Sequence, residues 1–352
     1  MPSDLAPHEL RVLVAVERER GFSAAAEKLG MTQSAVSHSV RSSEAKIGAV
    51  LFERGRRGAT PTPAGSRAVA HARRVLRLLD TLAAEARGAA PDPADDTVAG
   101  PLRIAAFRSA ALQLLPAALE RLTARYPGVV PEVSLVREVG AGTAGEVAAG
   151  RADLGIATIG TTSPIPPGLV GDVLLEEGYA LVHPAGHAAP RSLPLVDWTE
   201  NCTSYTRRWW AEQEWIPAAS VRAEDDGAVL SMVSSGFGMA IMPELSLVGA
   251  PPTIEITDLG PERPTRSVGY VTTPELAGSV AVRGLIRELR ALRPRPVAQS
   301  AAPQSVPQST APQPVPQSVA ARPVAQSVAT RSTRPQRPPA QPARPQPVGP
   351  PR

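Results

Sequence analysis

Between Gln33 and Ile47 the apolar residues Val36, Val40 and Ile47 fall on one stripe, and the spacing predicts a helix with one buried face. Its outward side holds Ser34, Ser37, His38, Ser39, Arg41, Ser42 and Lys46 with a single acid, Glu44. Serine is a poor helix former, because its hydroxyl competes for backbone hydrogen bonds. A face meant only for solubility would mix Glu and Lys. The same periodicity predicts a helix over Pro7–Arg20, with Leu10, Leu13 and Val14 inward and Gly21 ending it. A second helix over "AAAEKL" is expected with Ser23 as its N-cap, then a turn at Gly30, then the serine-rich helix capped by Thr32.

Helix, short glycine turn, helix is the pattern whose second helix enters the major groove of double-stranded DNA. Short hydroxyls let a backbone approach the duplex closely. Thr32, Gln33, Ser34, Ser37, His38 and Arg41 form the candidate DNA-contacting set. Gln33 suits adenine, the hydroxyls and His38 suit base edges or phosphates, and Arg41 suits guanine or a phosphate. The following "LFERGRRGATPTPAG" puts Arg54, Arg56 and Arg57 on a glycine-bounded, hairpin-like loop, as a wing would lie along the backbone or minor groove.

Thr62 and Pro63 suit the start of a further helix. Within it Val69, Ala72, Leu76, Leu79, Ala83 and Ala86 step by three and four, a heptad seam that needs a helical partner or its own domain to cover it. Residues 88–101, rich in Pro, Asp, Gly and Ala, read as a linker. Beyond it strand-like runs such as "LRIAAF", "DLGIAT" and "MAIMP" alternate with helical stretches, which predicts an α/β domain over 100–293. Residues 294–352 are nearly all Pro, Gln, Ala, Ser, Val and Arg without an aromatic, and are expected to be a disordered tail.

Charge sharpens this division. Residues 1–90 hold 14 Lys and Arg against 9 Asp and Glu, residues 91–293 hold 16 against 24, and residues 294–352 hold 7 Arg and no acid. A basic head beside an acidic body places the polyanion partner at the head. The single cysteine, Cys202, forbids an intramolecular disulfide and fits a reducing compartment. With no signal-like start and no long apolar run, the chain is expected to be cytoplasmic, without a membrane partner.

The stretch "FSAAAEKLGMTQSAVSHSVRSSEAKIGAVLFERGRRGATPTPAG" resembles the N-terminal domain of LysR-type transcriptional regulators. The marks are the alanines before Leu29, "TQSAVSHSV", Glu44 with Ile47-Gly48, "LFER" and "TPAG". Two residues depart from that pattern. Ser43 stands where an aliphatic is usual and should weaken packing, and Pro61 stands where leucine is usual and bears on the wing's geometry. The resemblance implies a winged helix-turn-helix over 1–61, a linker or dimerisation helix over 62–88, and an interrupted palindrome read by a homodimer or homotetramer. "LRIAAFRSAAL", "AAGRADLGI" and "MVSSGFGMAIMPE" are similar to the family's effector domain. That implies two α/β subdomains like those of periplasmic binding proteins, joined by two crossover strands around a small-molecule cleft.

At this cleft a helix N-terminus after the first strand offers amides and a positive dipole end to a carboxylate, beside Arg108 and Ser109. The family would add contacts near Thr158 and from a loop with Ser204, Tyr205 and Thr206. Tyr205, Trp209, Trp210 and Trp215 belong either to a core or to an aromatic pocket wall with Arg207 and Arg208. The effector expected there is anionic or aromatic. A peroxide-sensing branch of the family uses two cysteines, and this chain has one.

No catalytic constellation is found. His8, His38, His71, His183 and His187 lack metal-site spacing, and no nucleophile elbow or phosphate-binding loop occurs, so neither enzyme, metal nor cofactor is expected. Two alternatives stay open: a DNA-binding regulator whose body only oligomerises, and a cytoplasmic solute-binding protein. The tail's composition predicts that it adds nothing to a core. A chain ending at Arg293 should melt within about two degrees of full length in a thermal unfolding scan, and a larger drop would mean that the tail packs.

Overall fold

The computed structural model describes residues 4–55, 58–88, 98–160, 163–198 and 204–292, with backbone alone at 87–88 and 204–207. The tail and Cys202 lie outside the described residues. The head consists of α1 (Pro7–Glu19), α2 (Phe22–Leu29), α3 (Gln33–Ile47), β1 (Phe52–Gly55) and β2 (Gly58–Pro61), and α4 (Pro63–Gly88) leads out of it. Val12, Leu13 and Val16 of α1, Ala25 of α2, and Val36 and Val40 of α3 form its core with Leu51, Phe52 and Val69. Ile47, expected on the buried stripe, is partly exposed at the end of α3.

Two caps differ from expectation. Arg20, not Gly21, ends α1 in the left-handed region at φ 52°, and extended Gly21 is the N-cap of α2, so Ser23 lies inside that helix. The wing imposes this. The Arg20 carbonyl accepts from the Ala59 amide at 2.9 Å, and a Cβ on Gly58 would lie 2.1 Å from the same oxygen. Thr32 Oγ1 accepts from the Ala35 amide at 3.2 Å, and Thr62 Oγ1 from Gly65 at 2.9 Å. Ser43 is fully buried, and its hydroxyl donates to the Ser39 carbonyl at 3.0 Å, which satisfies it without a core partner. Pro61 ends β2 opposite Phe52, and the two-stranded wing forms around it.

In the body β3 (Gly100–Ala106), α5 (Arg108–Gln113), α6 (Leu115–Arg125), β4 (Val129–Leu135), α7 (Gly142–Ala148) and β5 (Leu154–Ile159) come first, followed by the long β6 (Val170–Pro184). Then follow β7 (Leu195–Trp198), α8 (Ser204–Ala211), β8 (Ala219–Ala223), α9 (Asp226–Ser234), β9 (Ala240–Pro243) and α10 (Glu244–Leu247). The chain closes with β10 (Ile254–Asp258), β11 (Thr265–Thr272), α11 (Pro274–Ala277) and α12 (Val280–Arg290). Strands order β10-β6-β11-β5-β3-β4, with β9 also on β6, and β7 with β8 forms a small parallel sheet.

β6 belongs to two subdomains. Its first half pairs with β11, and its second half, from Tyr179, pairs with β9 and β10. The chain therefore crosses between subdomains near Glu177–Tyr179 and again between β10 and β11. Leu102, Ile104, Leu122, Ile156 and Leu285 fill the first subdomain, and Val182, Val196, Val233 and Met242 the second.

α4 lies against the first subdomain of its own chain. Arg77 makes a bidentate pair with Asp153 at 2.7 Å and also donates to the Pro101 carbonyl. Arg73 and Arg74 donate to the carbonyls of Ala149 and Ala148 at the end of α7, and Arg73 also pairs with Glu17 of α1 at 2.5 Å. Val69 and Ala72 of the heptad seam are buried in their own chain, whereas Val75, Leu78, Leu79 and Leu82 stay exposed.

One buried acid ties α1 to α3. Glu9 accepts from its own cap amide at Ala6 (2.9 Å), from Ser42 (3.0 Å) and from Lys46 (2.7 Å). Burial opposes its charge, but the Lys46, Ala6 and Ser42 hydrogen bonds outweigh that and lower its pKa from 4.5 to about 2. A carboxyl depressed in the folded state adds stability that is fully present above its unfolded pKa and fades as pH falls toward the folded one. Glu9→Gln should therefore cost about 1.5–3 kcal/mol in urea unfolding at neutral pH, and the gap from wild type should narrow by about pH 3.

Candidate DNA interface and effector crevice

On α3 the structure keeps Thr32, Gln33, Ser34, His38 and Arg41 exposed on the side away from the core. Ser37 is not among them. It is buried, and its hydroxyl accepts from Arg54 Nη2 at 2.6 Å. Arg54 in turn lies 4.3 Å over the Phe22 ring, which meets Phe52 edge-on at 6.5 Å. Arg54 is thus held between wing, α2 and α3. Glu44 Oε1 accepts from the amides of Leu51 and Phe52 at 2.8 and 3.3 Å, so the wing's first strand hangs from the end of α3. Arg56 and Arg57, between Gly55 and Gly58 in the sequence, lie outside the described residues. The polar side of α3 therefore has two uses. Ser37, Ser42 and Lys46 bond inside the head, while Gln33, Ser34, His38 and Arg41 face outward.

In the body the carboxyl end of β3 meets the second subdomain through Arg108, the usual place for a ligand in an open α/β sheet. α5 starts at Arg108 with Phe107 as its N-cap and has only six residues, so its dipole is short. Arg108 is not a free anion anchor. It pairs with Asp226 at the start of α9 at 2.9 Å, across the two subdomains, and Asp226 also accepts from Ser246 at 2.8 Å. Ser109 is buried. Thr158, expected to contact a ligand, donates its backbone amide to Glu138 at 2.9 Å. The same carboxylate accepts from the Thr143 amide and hydroxyl at 3.0 and 2.9 Å. An internal carboxylate thus fills the position where amides converge. Beside it a cavity of about 410 Å³ is lined by Gly140, Gly142, Gly145, Thr158, Ser163 and Ile165.

The sequence reading missed Glu138 and Arg266. Arg266 pairs with Glu177 at 2.8 Å, lies 4.8 Å over the Phe107 ring, and has a buried Nη2 without a hydrogen-bond partner among the described residues. Burial disfavours its charge, but the nearby Glu177 carboxylate more than offsets this and raises its pKa above the ordinary value. No local motif marks Arg266; only the register of β11 on β6 sets it opposite Glu177. Ser204, Tyr205 and Thr206, expected in a loop, form the first turn of α8. Trp210 packs with Tyr179 and Ile241, Trp215 lies under Arg191 at 4.5 Å, and Arg208 pairs with Glu212 at 3.5 Å. Trp209, Trp210 and Trp215 belong to the core of the second subdomain.

Among the described residues no helix is long and apolar enough to cross a membrane, and no cluster of three or more His, Cys, Asp or Glu is set to hold a metal.

Residues 7–66 match the family model described as bacterial regulatory helix-turn-helix protein, lysR family, and residues 95–293 match the LysR substrate binding domain. The probable HTH-type transcriptional regulator LrrA of Synechococcus elongatus is 33% identical over 260 residues, spanning 70% of this chain and 83% of that protein. A full-length OxyR variant from Pseudomonas aeruginosa superposes with a TM-score of 0.63 at 22% identity, covering 84% of this chain and 98% of that one. Full-length CbnR in complex with its target DNA gives 0.56 at 19%, covering 81% and 99%.

The inward turn of Ser37 has a measurable consequence. Ser37→Ala removes the hydroxyl that holds Arg54 and exposes no new group to a duplex. In-vitro selection from random DNA should return the same preferred sequence for this variant as for wild type. A changed preference would put Ser37 on the bases.

Proposed function

The chain belongs to the LysR family of bacterial transcriptional regulators, and on that premise we propose that it binds an interrupted palindrome as a homo-oligomer in the cytoplasm. It is a DNA-binding regulator with an effector-binding domain; family members are regulators, not enzymes. In our reading Gln33, Ser34, His38 and Arg41 read the major groove, with Thr32 at the helix start. Arg54, Arg56 and Arg57 run along the backbone. The observation that carries this is the split of polar residues on α3: those bonded inside the head fix its pose, and those left over share one exposed side. Arg41→Ala should weaken operator binding by about 1–3 kcal/mol if Arg41 reads a base. If it touches a phosphate, all sequences should weaken alike and the salt slope should fall by about one. Equal binding of operator and random DNA by variant and wild type would remove Arg41 from the interface.

The subunits meet, in this reading, along the exposed half of α4. Val69 and Ala72 are buried within their own chain, so Val75, Leu78, Leu79 and Leu82 are the stripe left for a second copy. Leu79→Asp would bury a charge there. Sedimentation at about micromolar concentration should show monomers and, with them, loss of palindrome binding; an intact dimer would place the interface in the body.

The effector is read as an anionic or aromatic small molecule in the crevice beside Phe107, Arg108, Ser109 and Thr158. The turn of α8 with Ser204, Tyr205 and Thr206 closes the far side. Arg266 supports the anionic class, because a buried N–H without a partner costs free energy that an anion would recover. A thermal-shift screen of aromatic and dicarboxylic acids tests this. Arg266→Met should abolish the shift given by any acid that stabilises the wild type. If that acid shifts the variant equally, Arg266 is only a structural partner of Glu177.

A further inference from the structure

We propose that the space enclosed by the head, α4 and the first subdomain is a second ligand site, distinct from the crevice, and that it takes a small polyphosphate anion. The cavity measures about 560 Å³, within the usual range for small-molecule sites. Arg11, Arg18 and Arg20 line it from the head, and Arg73 and Arg77 from α4. Arg103 and Arg151 complete it from the body, and among the described residues the acids in the lining are Glu17 and Asp80. Seven arginines and two acids therefore contribute to the described lining.

The pairing of these arginines is uneven. Arg73 is matched by Glu17, Arg77 by Asp153, Arg18 by Glu19, and Arg151 by Glu146. Arg103 has a looser contact with Glu132 at 3.5 Å. Neither Arg11 nor Arg20 has an acid partner among the described residues. Arg20 stands apart in a second way. Its backbone sits at φ 52°, and it is the only described non-glycine residue with positive φ. Glycine would fit that turn without strain. Strained residues gather where a side chain has work to do, and here the retained group is a cation facing the cavity.

The chemistry selects the ligand class. Guanidinium groups bind phosphate oxygens with paired, charge-assisted hydrogen bonds. Among the described residues the large apolar side chains in the lining are Val14 and Leu76, with no aromatic ring to stack a base. The phosphate chain itself is thus the recognised part. An anion there would touch head, linker helix and body together, so it would favour the arrangement in which α4 lies on the first subdomain. This proposal stands apart from the crevice reading, and its failure would leave that reading untouched.

The test titrates full-length protein with inorganic tripolyphosphate by calorimetry, without DNA. Saturable binding of one anion per chain that weakens as salt rises is expected. Arg20→Gly should keep the melting temperature of the wild type, since it relieves the strained turn, yet bind at least about tenfold more weakly. Arg11→Gln should weaken binding to a similar degree. Absence of binding to the wild type overturns the proposal. So does unchanged affinity in both variants. If Arg41→Ala loses the anion while Arg11→Gln keeps it, the anion sits on the DNA-binding surface and the proposal is wrong.

Discussion

The pairing of Arg77 with Asp153 holds the parts of this molecule in one arrangement. Both side chains are largely withdrawn from water, at 12% and 3% exposure. The Asp153 carboxylate takes two hydrogen bonds from Arg77 and one from the Arg103 amide at 2.8 Å. Its carbonyl accepts from Thr272 on β11. A buried pair so fully bonded adds little over an apolar match, but losing one partner strands a charge. Neighbouring arginines of α4 add further contacts. Arg73 reaches both Glu17 of the head and the end of α7, and Arg74 reaches α7 beside it.

α7 thereby runs between the linker helix and the crevice. Its C-terminal carbonyls receive the linker arginines, which suits the negative end of a helix. Its N-terminal side holds Glu138, whose carboxylate also takes the Thr158 amide at the crevice. At the crevice Arg108–Asp226 ties the subdomains to each other, and Glu177, which pairs with Arg266 on the adjacent strand, accepts from the Leu245 amide as well. A ligand that rotates one subdomain against the other must alter these pairs. It acts on the head only to the extent that it binds one arrangement better than another.

Much of the head was legible because its signals are local. Thr32 caps α3 by bonding three residues ahead, glycines turn the chain where φ is positive, and the 3–4 spacing of Val36 and Val40 meets a core built from neighbouring helices. Arg20 shows the limit of such signals. Gly21 looked like the helix stop, but contact with Ala59, some forty residues on, moved the left-handed residue back by one.

By itself the sequence determined the helix-turn-helix, the alternation of an α/β body, the break into basic and acidic parts, and the family. These rest on periodicity and short-range hydrogen bonding, which act within a few residues. Only the tertiary structure decided which polar groups are spent indoors. Ser37 and Arg54 satisfy each other, Arg108 is claimed by Asp226, Glu138 occupies the Thr158 amide, and Val69 serves its own head instead of a partner. Each of those pairings joins residues 17 or more positions apart. A side chain's hydrogen-bonding capacity is written in its type, but what consumes it depends on which distant strand or helix folds against it.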